Sequence, residues 1–175
     1  TGSWQPDEDL FIEYFNRHPE VKLIIAPHVI DENHLVEIIR KLKRPYVRYT
    51  RADEKNVRKA DCLIIDCFGL LSSIYRYGEI AYIGGGFGVG IHNTLEAAVY
   101  GIPVIFGPKY QKFQEAIHLL EAKGGFSIKS YEELKILLDR MLGDEDFLRE
   151  AGKNAGAYVT DNAGTTDKVL GMINF

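Results

Sequence analysis

The sequence predicts an α/β fold: a Rossmann-like parallel sheet with helices on both faces. Short β-branched runs, such as VKLIIA at 21–26, alternate with segments whose apolar residues recur at helical spacing. Turns rich in glycine or proline close several of these runs. Strands that alternate with helices of about 10 to 15 residues imply parallel pairing with right-handed crossovers. The chain has 175 residues, the size of one ordinary domain, and we expect a single domain over 1–175.

The first half of the chain is expected to form two helices and three strands. Acidic residues after Pro6 precede an amphipathic pattern, which predicts a helix over 7–16. Pro27 ends the first strand, and Leu35, Ile38 and Ile39 lie on one stripe of the next helix. The predicted elements are helix 7–16, strand 21–26, helix 31–42, strand 46–49 and strand 62–65.

The second half begins with an apolar helical pattern and a strand that runs into three glycines. Gly101 follows one predicted helix, and Gly107-Pro108 ends a later strand. The predicted elements are helix 69–77, strand 80–83, helix 93–100, strand 104–106, helix 111–122, strand 126–128 and helices 131–141, 146–155 and 166–173.

Composition narrows the class of protein. Apolar residues make up 46% and charged residues 26%, as in globular domains, and the net charge of −4 argues against a nucleic-acid partner. Cys62 and Cys67 lack zinc-site spacing and predict free thiols in a reducing compartment. No apolar run approaches the roughly 20 residues that span a bilayer. We therefore expect a soluble, cytoplasmic piece.

The first residues, Thr1 to Trp4, have the pattern of a loop that leads directly into a helix. No strand pattern precedes them, although a Rossmann-like unit normally opens on a strand. We therefore expect the sequence to begin partway through a longer chain.

The strand ending at Ile83 leads into the most informative turn. Five glycines, at positions 84, 85, 86, 88 and 90, lie between this strand and the next helix. Glycine permits positive φ and close backbone approach, and a helix N-terminus favours an anion, so a phosphate site is plausible. The spacing excludes a dinucleotide fingerprint and a nucleoside-triphosphate P-loop. A flexible turn without a ligand is the alternative.

Four further side chains lie where ligands bind in open parallel sheets, beyond the carboxyl ends of the strands. Glu96 is either an acceptor for ribose hydroxyls or a partner of the helix dipole. His28, Asp66 and Lys109 are each either a ligand contact or an ordinary loop side chain, and Lys109 suits a phosphate or a sugar carboxylate. His92 shares a helical face with Glu96, but no third ligand is nearby, so we expect no metal and a loop-shaping role for His92.

These features together resemble the bacterial 3-deoxy-D-manno-octulosonic acid (Kdo) transferases. YIGGGFGVGIHNTLEAAVYGIPVIFGPKYQKFQEA, at 82–116, is similar to the family signature, and the block 83–108 is its most specific part. FGLLSSIYRYGEIAYIGG, KLIIAPH and the GSW turn with Asp7 and Glu8 resemble further family stretches. Thr94 and Ala98 stand where many members carry proline.

The resemblance implies the C-terminal half of a GT-B glycosyltransferase, which holds the donor, with an N-terminal acceptor domain outside this sequence. Glu96 would hold the ribose hydroxyls, Pro27 and His28 would meet the phosphate region, and a slot at 68–70 would take the cytosine. The residues assigned to nucleotide binding are Pro27, His28, Phe68, Gly69, Leu70, Gly85, Gly86, His92, Asn93, Thr94, Leu95 and Glu96, with Lys109 as a further phosphate or sugar contact.

The implied reaction transfers Kdo from CMP-Kdo to a lipid A precursor, without a metal or other cofactor, in lipopolysaccharide biosynthesis. It would take place at the cytoplasmic face of the inner membrane of a Gram-negative bacterium. The catalytic base, the acceptor site and the membrane contact would lie in the N-terminal domain. This domain alone is therefore expected to bind CMP and to catalyse nothing.

Two alternatives remain open at this point. One is the donor domain of a GT-B enzyme that uses UDP-sugars, such as a UDP-GlcNAc transferase or 2-epimerase. Such families share the glycine-rich turn and the helix carboxylate, but they do not typically combine Pro27-His28 with Asn93-Thr94-Leu95-Glu96. The other is a non-catalytic nucleotide-sensing or receiver-like module, for which Asp66 lacks an accompanying acidic pair.

Overall fold

The protein, described here in a computed structural model, alternates strands and helices along its length. Backbone is described for residues 2–172 and side chains for residues 2–163. Every strand pair is parallel, which confirms the predicted α/β class. No helix within the described residues is both long enough and apolar enough to cross a bilayer.

The elements follow the order that the sequence predicts, except that α3 is additional and the last two predicted helices are one. The helices are Gln5–Arg17 (α1), Glu32–Lys41 (α2), Glu54–Val57 (α3), Leu71–Ile74 (α4), Leu95–Ala98 (α5), Gln114–Glu121 (α6), Tyr131–Gly143 (α7) and Glu145–Met172 (α8). The strands are Leu23–Ile25 (β1), Tyr46–Arg48 (β2), Cys62–Ile64 (β3), Ala81–Ile83 (β4), Val104–Phe106 (β5) and Gly125–Ser127 (β6).

The strands form two sheets of three, in the orders β1-β3-β2 and β4-β5-β6. Apolar residues of α1 and α2, including Phe15 and Ile38, cover the first sheet and share a core cluster with Ile64 of β3. Phe106 and Leu119 belong to a second core cluster, between the second sheet and its helices. Burial of each apolar side chain contributes about 1.5–3 kcal/mol, so these clusters fix the strands and the loops that follow them.

Three helices differ from the sequence expectations. The predicted helices 146–155 and 166–173 are one helix, α8, although residue 173 lies outside the described residues. Gly156 lies in the gap between the two predicted helices, and an ideal Cβ there would be 3.2 Å from the Cα of Gly101, so this glycine allows close packing within a continuous helix. The predicted helix 93–100 is a single turn, α5.

The predicted helix 69–77 is the short α4 followed by a 3₁₀ turn at Tyr75–Tyr77. The sequence analysis missed α3, whose start is fixed by the Asp53 side chain. That carboxylate accepts hydrogen bonds from the N–H groups of Lys55 and Asn56. Such a capping box stabilises even one turn of helix that has little apolar pattern.

Candidate nucleotide site

The loops that follow β1, β4 and β5 meet at the carboxyl edge of the sheets. The His28 ring, after β1, stacks on the His92 ring, after β4, with centroids 4.8 Å apart. The N–H of Lys109, after β5, donates to the carbonyl of Gly86 over 3.0 Å. The structure therefore brings together three of the turns that the sequence analysis singled out, at the edge where open parallel sheets bind ligands.

The glycine-rich loop is folded tightly on itself. The N–H groups of Gly88 and Gly90 both donate to the carbonyl of Gly85, over 2.9 and 3.1 Å, and that of His92 donates to Gly84. Gly85 adopts a φ of +93°. An ideal Cβ at Gly86 would lie 2.6 Å from the backbone of Gly107, so a side chain there is excluded. These glycines therefore allow close packing, and several loop amides predicted to face a ligand are engaged internally.

Asp7, in the first turn of α1, holds this loop in place through hydrogen bonds. Its buried carboxylate accepts hydrogen bonds from the N–H groups of Gly85 and Trp4, over 3.0 and 3.1 Å, and from the hydroxyl of Tyr82, over 3.0 Å. Only 1% of Asp7 is exposed. The sequence analysis treated Asp7 as part of an amphipathic helix start, although an acid at the third helical position is a capping signal.

Asn93 and Glu96 form the open part of the edge. The exposed Asn93 accepts a hydrogen bond from the N–H of Leu95 over 2.9 Å, and its amide lies 3.4 Å from a carboxylate oxygen of Glu96. Glu96 is half-buried in the first turn of α5. The N–H groups of Asn93 and Thr94 have no acceptor among the described residues. This short stretch therefore presents amide donors and a carboxylate side by side.

The buried hydroxyl of Tyr75 interacts electrostatically with Glu96 in this stretch. Its hydroxyl is buried and has no hydrogen-bond partner within the part of the chain that the structure describes. Burial, and secondarily the negative charge of Glu96, raises the pKa of Tyr75. The phenol is therefore neutral at pH 7 and lies within electrostatic range of the carboxylate. Nothing in the sequence pattern marked it as more than an apolar helix position.

His92 helps to shape the loop, as the sequence predicts. Its Nε2 accepts a hydrogen bond from the indole N–H of Trp4 over 3.3 Å, and the backbone of Gly2 supplies a second partner. Burial, and then the neighbouring His28, lowers the pKa of His92, so the ring is neutral at pH 7. His28 is exposed and its ring lies between those of Trp4 and His92, with the Trp4 centroid 4.6 Å away.

The loop after β3 is exposed at this edge. Phe68 is 82% exposed, and Gly69 has a φ of +88° with open space where a Cβ would lie. Lys109 is also exposed, and it forms no ion pair among the described residues. The carboxylate of Asp66 accepts hydrogen bonds from Arg48 and Thr50, so it stabilises the fold. Of the candidates that sequence reasoning left open, Asp66 is therefore a loop anchor.

Metal binding finds no support in the side chains that the structure describes. No group of three or more His, Cys, Asp or Glu among the described residues is arranged to hold an ion. The Nε2 of His92 accepts a hydrogen bond from Trp4.

Comparison with known proteins identifies relatives over most of the chain. A 3-deoxy-D-manno-octulosonic acid transferase from Aquifex aeolicus is 35% identical over 144 residues, which are 81% of this chain and 39% of the relative. The enzyme of the same description from Chlamydia muridarum is 30% identical over 88% of this chain and 36% of the relative. The chain thus spans under two fifths of the length of either relative. No protein-family model matches it.

Two solved structures share the fold. The C-terminal CMP-Kdo binding domain of WaaA from Acinetobacter baumannii superposes with a TM-score of 0.76 at 18% identity, covering 90% of this chain and 86% of that one. The C-terminal domain of a glycosyl transferase group 1 family protein from Francisella tularensis gives a TM-score of 0.62 at 17% identity, covering 92% and 82%.

The fold and its carboxyl edge define the class: this is an α/β domain with the fold of the C-terminal domains of those two proteins. Within that class, the resemblance to the Kdo transferases is confirmed, since several of these enzymes are about 30–35% identical to most of the chain.

Proposed function

We propose that this chain is the donor-binding domain of a Kdo transferase and that it binds CMP-Kdo at the carboxyl edge. The observation that carries the proposal is the half-buried carboxylate of Glu96, beside Asn93 and within electrostatic range of the buried Tyr75 hydroxyl. A fixed carboxylate can accept hydrogen bonds from both hydroxyls of a ribose. The names of the relatives supply the sugar and the nucleotide.

A single phosphate needs few donors, and this edge offers few. Four groups are available around the proposed phosphate position: the N–H groups of Asn93 and Thr94, the exposed His28 ring and the Lys109 ammonium. Such fixed donors stabilise the charge that develops on a departing nucleoside monophosphate. We propose that the reaction needs no metal, because these groups can supply that stabilisation.

The cytosine is proposed to bind against the loop at 68–70. The exposed Phe68 ring offers a face for stacking, and base–aromatic stacking contributes about 1–3 kcal/mol. Backbone groups next to Gly69 can approach a base closely because no side chain intervenes. Pro27 would then set the position of His28 against the phosphate, since its ring fixes the backbone φ directly before His28.

The whole protein is proposed to transfer Kdo to a lipid A precursor in lipopolysaccharide biosynthesis, at the cytoplasmic face of the inner membrane. We place the catalytic base and the acceptor and membrane contacts in a separate N-terminal domain. The chain by itself is therefore proposed to bind CMP without transferring sugar.

Calorimetric titration with CMP, UMP and UDP tests the proposal. We expect binding of CMP, and a loss of roughly 10- to 100-fold in affinity for Glu96→Gln, because a hydrogen bond to a charged group contributes about 1.5–3 kcal/mol. Glu145→Gln is the matched control, an exposed glutamate that follows the end of α7. Affinity for UMP or UDP with none for CMP would contradict the proposal and favour a UDP-sugar enzyme.

A further inference from the structure

A group of buried polar side chains adjoins the loop that carries His28. The carboxylate of Glu8, on α1, is completely buried, and one of its oxygens accepts a hydrogen bond from the hydroxyl of Ser3 over 2.9 Å. Its other oxygen lies 3.0 Å from Nε2 of His34, on α2. A buried carboxylate is costly unless it is paired and hydrogen-bonded, so this arrangement favours a cation beside Glu8.

The partners of the His34 ring indicate its protonation state. Nδ1 lies 2.8 Å from the carbonyl oxygen of Val29, which can only accept, so Nδ1 carries a hydrogen. Nε2 faces the Glu8 carboxylate, and a second hydrogen there makes the ring an imidazolium paired with Glu8. Burial lowers the pKa of His34, but the hydrogen bonds to Glu8 and Val29 outweigh it, so the pKa is raised from its ordinary value of 6.5. Asp31, the N-cap of α2, is a further carboxylate that favours the charged ring.

Glu8 and His34 together support the loop after β1 on both sides of His28. On one side, the carbonyl of Ser3 accepts a hydrogen bond from the N–H of His28 over 3.1 Å. On the other side, the carbonyl of Val29 accepts from the His34 ring. Glu8 joins these two supports, because it binds Ser3 with one oxygen and His34 with the other. The backbone around His28 is therefore held through one buried carboxylate.

We propose that Glu8 and His34 are positioning residues for the donor, and that the charged form of His34 keeps the His28 loop in its binding conformation. The inference rests on the proposed function, since His28 is assigned there to the donor phosphate. When His34 loses a proton, one of its two hydrogen bonds is lost, because a neutral ring has a single N–H. The loop then samples other conformations, and the nucleotide binds only the fraction that remains in place.

The test measures CMP affinity by calorimetry between about pH 5 and pH 9 for the parent chain and for His34→Arg. Arginine stays charged over this range and has several donors, so its support of the loop does not titrate. The sign follows from the raised pKa of His34: the support is complete below about pH 6 and is lost as the pH rises through the raised value. The affinity of the parent relative to His34→Arg should therefore fall by about fivefold or more at high pH. The CMP phosphate and the other charged groups of the site are common to both proteins, so they cancel in this ratio.

His18→Arg is the matched control. The His18 ring also lies between a carbonyl and a carboxylate, with Nδ1 2.7 Å from the Tyr14 carbonyl oxygen and Nε2 3.4 Å from Asp139. It lies at the other end of α1, however, as the C-cap of that helix. The affinity of the parent relative to His18→Arg should stay constant with pH. A constant or rising ratio for His34→Arg would overturn the inference, and so would an equal fall for His18→Arg.

Two measurements without nucleotide separate the behaviour of the loop from CMP binding. NMR of the histidine ring nitrogens should show that His34 in the parent keeps both ring protons to a pH above 6.5, and Glu8→Gln should move this titration to lower pH. A His34 ring that titrates below 6.5 in the parent would overturn the inference, even where a variant fails to fold. Hydrogen exchange at the N–H of His28 should be faster in the parent than in His34→Arg at high pH, by about fivefold or more. Equal exchange would also overturn it.

The failure of this inference and the failure of the proposed function give different results. If CMP binds to no version at any pH, the proposed function fails, and the role of His34 in donor binding fails with it. If CMP binds to the parent and to His34→Arg with an affinity ratio that does not change with pH, only the positioning role is overturned.

Discussion

Protonation of Asp66 should destabilise the fold in acid. Its carboxylate accepts hydrogen bonds from Arg48 Nε over 2.8 Å, from Thr50 N over 2.9 Å and from Thr50 Oγ1 over 2.6 Å. Burial alone raises the pKa of Asp66, but these bonds from Thr50 and Arg48 outweigh it and lower the pKa from 3.8 to about 2. A shift of that size corresponds to about 2 kcal/mol of stability at neutral pH.

The sign follows from the direction of the shift. The folded state favours the charged carboxylate, so its contribution is complete above about pH 4 and is lost as the pH falls toward 2. Urea denaturation between pH 7 and pH 2.5 should therefore show the parent protein losing its advantage over Asp66→Asn as the pH falls. We expect a gap of about 2 kcal/mol at pH 7 that narrows below pH 4.

Glu32→Gln serves as the control in the same cluster. Glu32 also binds Arg48, but its side chain is 65% exposed, so its removal should cost under about 1 kcal/mol. If the gap between the parent and Asp66→Asn stays constant across the pH range, or widens in acid, the assignment of a lowered pKa to Asp66 is wrong.

Three further predictions concern the edge and its supports. Asp7→Ala should lower the free energy of unfolding by about 3–5 kcal/mol in urea denaturation, because three hydrogen bonds to a buried carboxylate are lost. The control Asp9→Ala should lower it by under about 1 kcal/mol, because Asp9 forms only an exposed ion pair with Lys41. Tyr75→Phe should change the free energy of unfolding in urea by less than about 1 kcal/mol, since the Tyr75 hydroxyl has no partner among the described residues. A large loss of CMP affinity in calorimetry would assign that hydroxyl to nucleotide binding. Iodoacetamide should modify Cys67 before Cys62 in the native protein, as read by mass spectrometry, because burial raises the pKa of Cys62 to about 12; equal rates would contradict the buried position.

The order of strands and helices could be predicted from the sequence because it depends on local apolar periodicity. The break in α8 was predicted wrongly: Gly156 lies in the predicted gap, and its close approach to Gly101, a distant residue, is not encoded in the local pattern. The division into two sheets likewise depends on pairing between distant residues, which periodicity does not encode.

The sequence places the candidate site at the carboxyl edge, where the loops after β1, β4 and β5 do meet, but several of the amides expected to serve as donors are already hydrogen-bonded. Glycine content indicated amides facing a ligand, whereas the amides of Gly88 and Gly90 bind Gly85 within the loop. Asp7 and Tyr75 could not be assigned from the sequence, because each acts through a partner far along the chain. Glu96 and Asn93 remain predictions as nucleotide ligands.

The close contact of α8 with Gly101 has a consequence for biosynthesis. Ala155 of α8 is fully buried in the same core cluster as Ala97 and Ala98 of α5, next to Glu96. The residues that hold this part of the carboxyl edge in place are therefore synthesised more than 50 positions after the helix they support. A nascent chain would acquire its sheets first and a competent edge only after α8 has docked, so ribosome-bound intermediates that stop before α8 should not retain CMP.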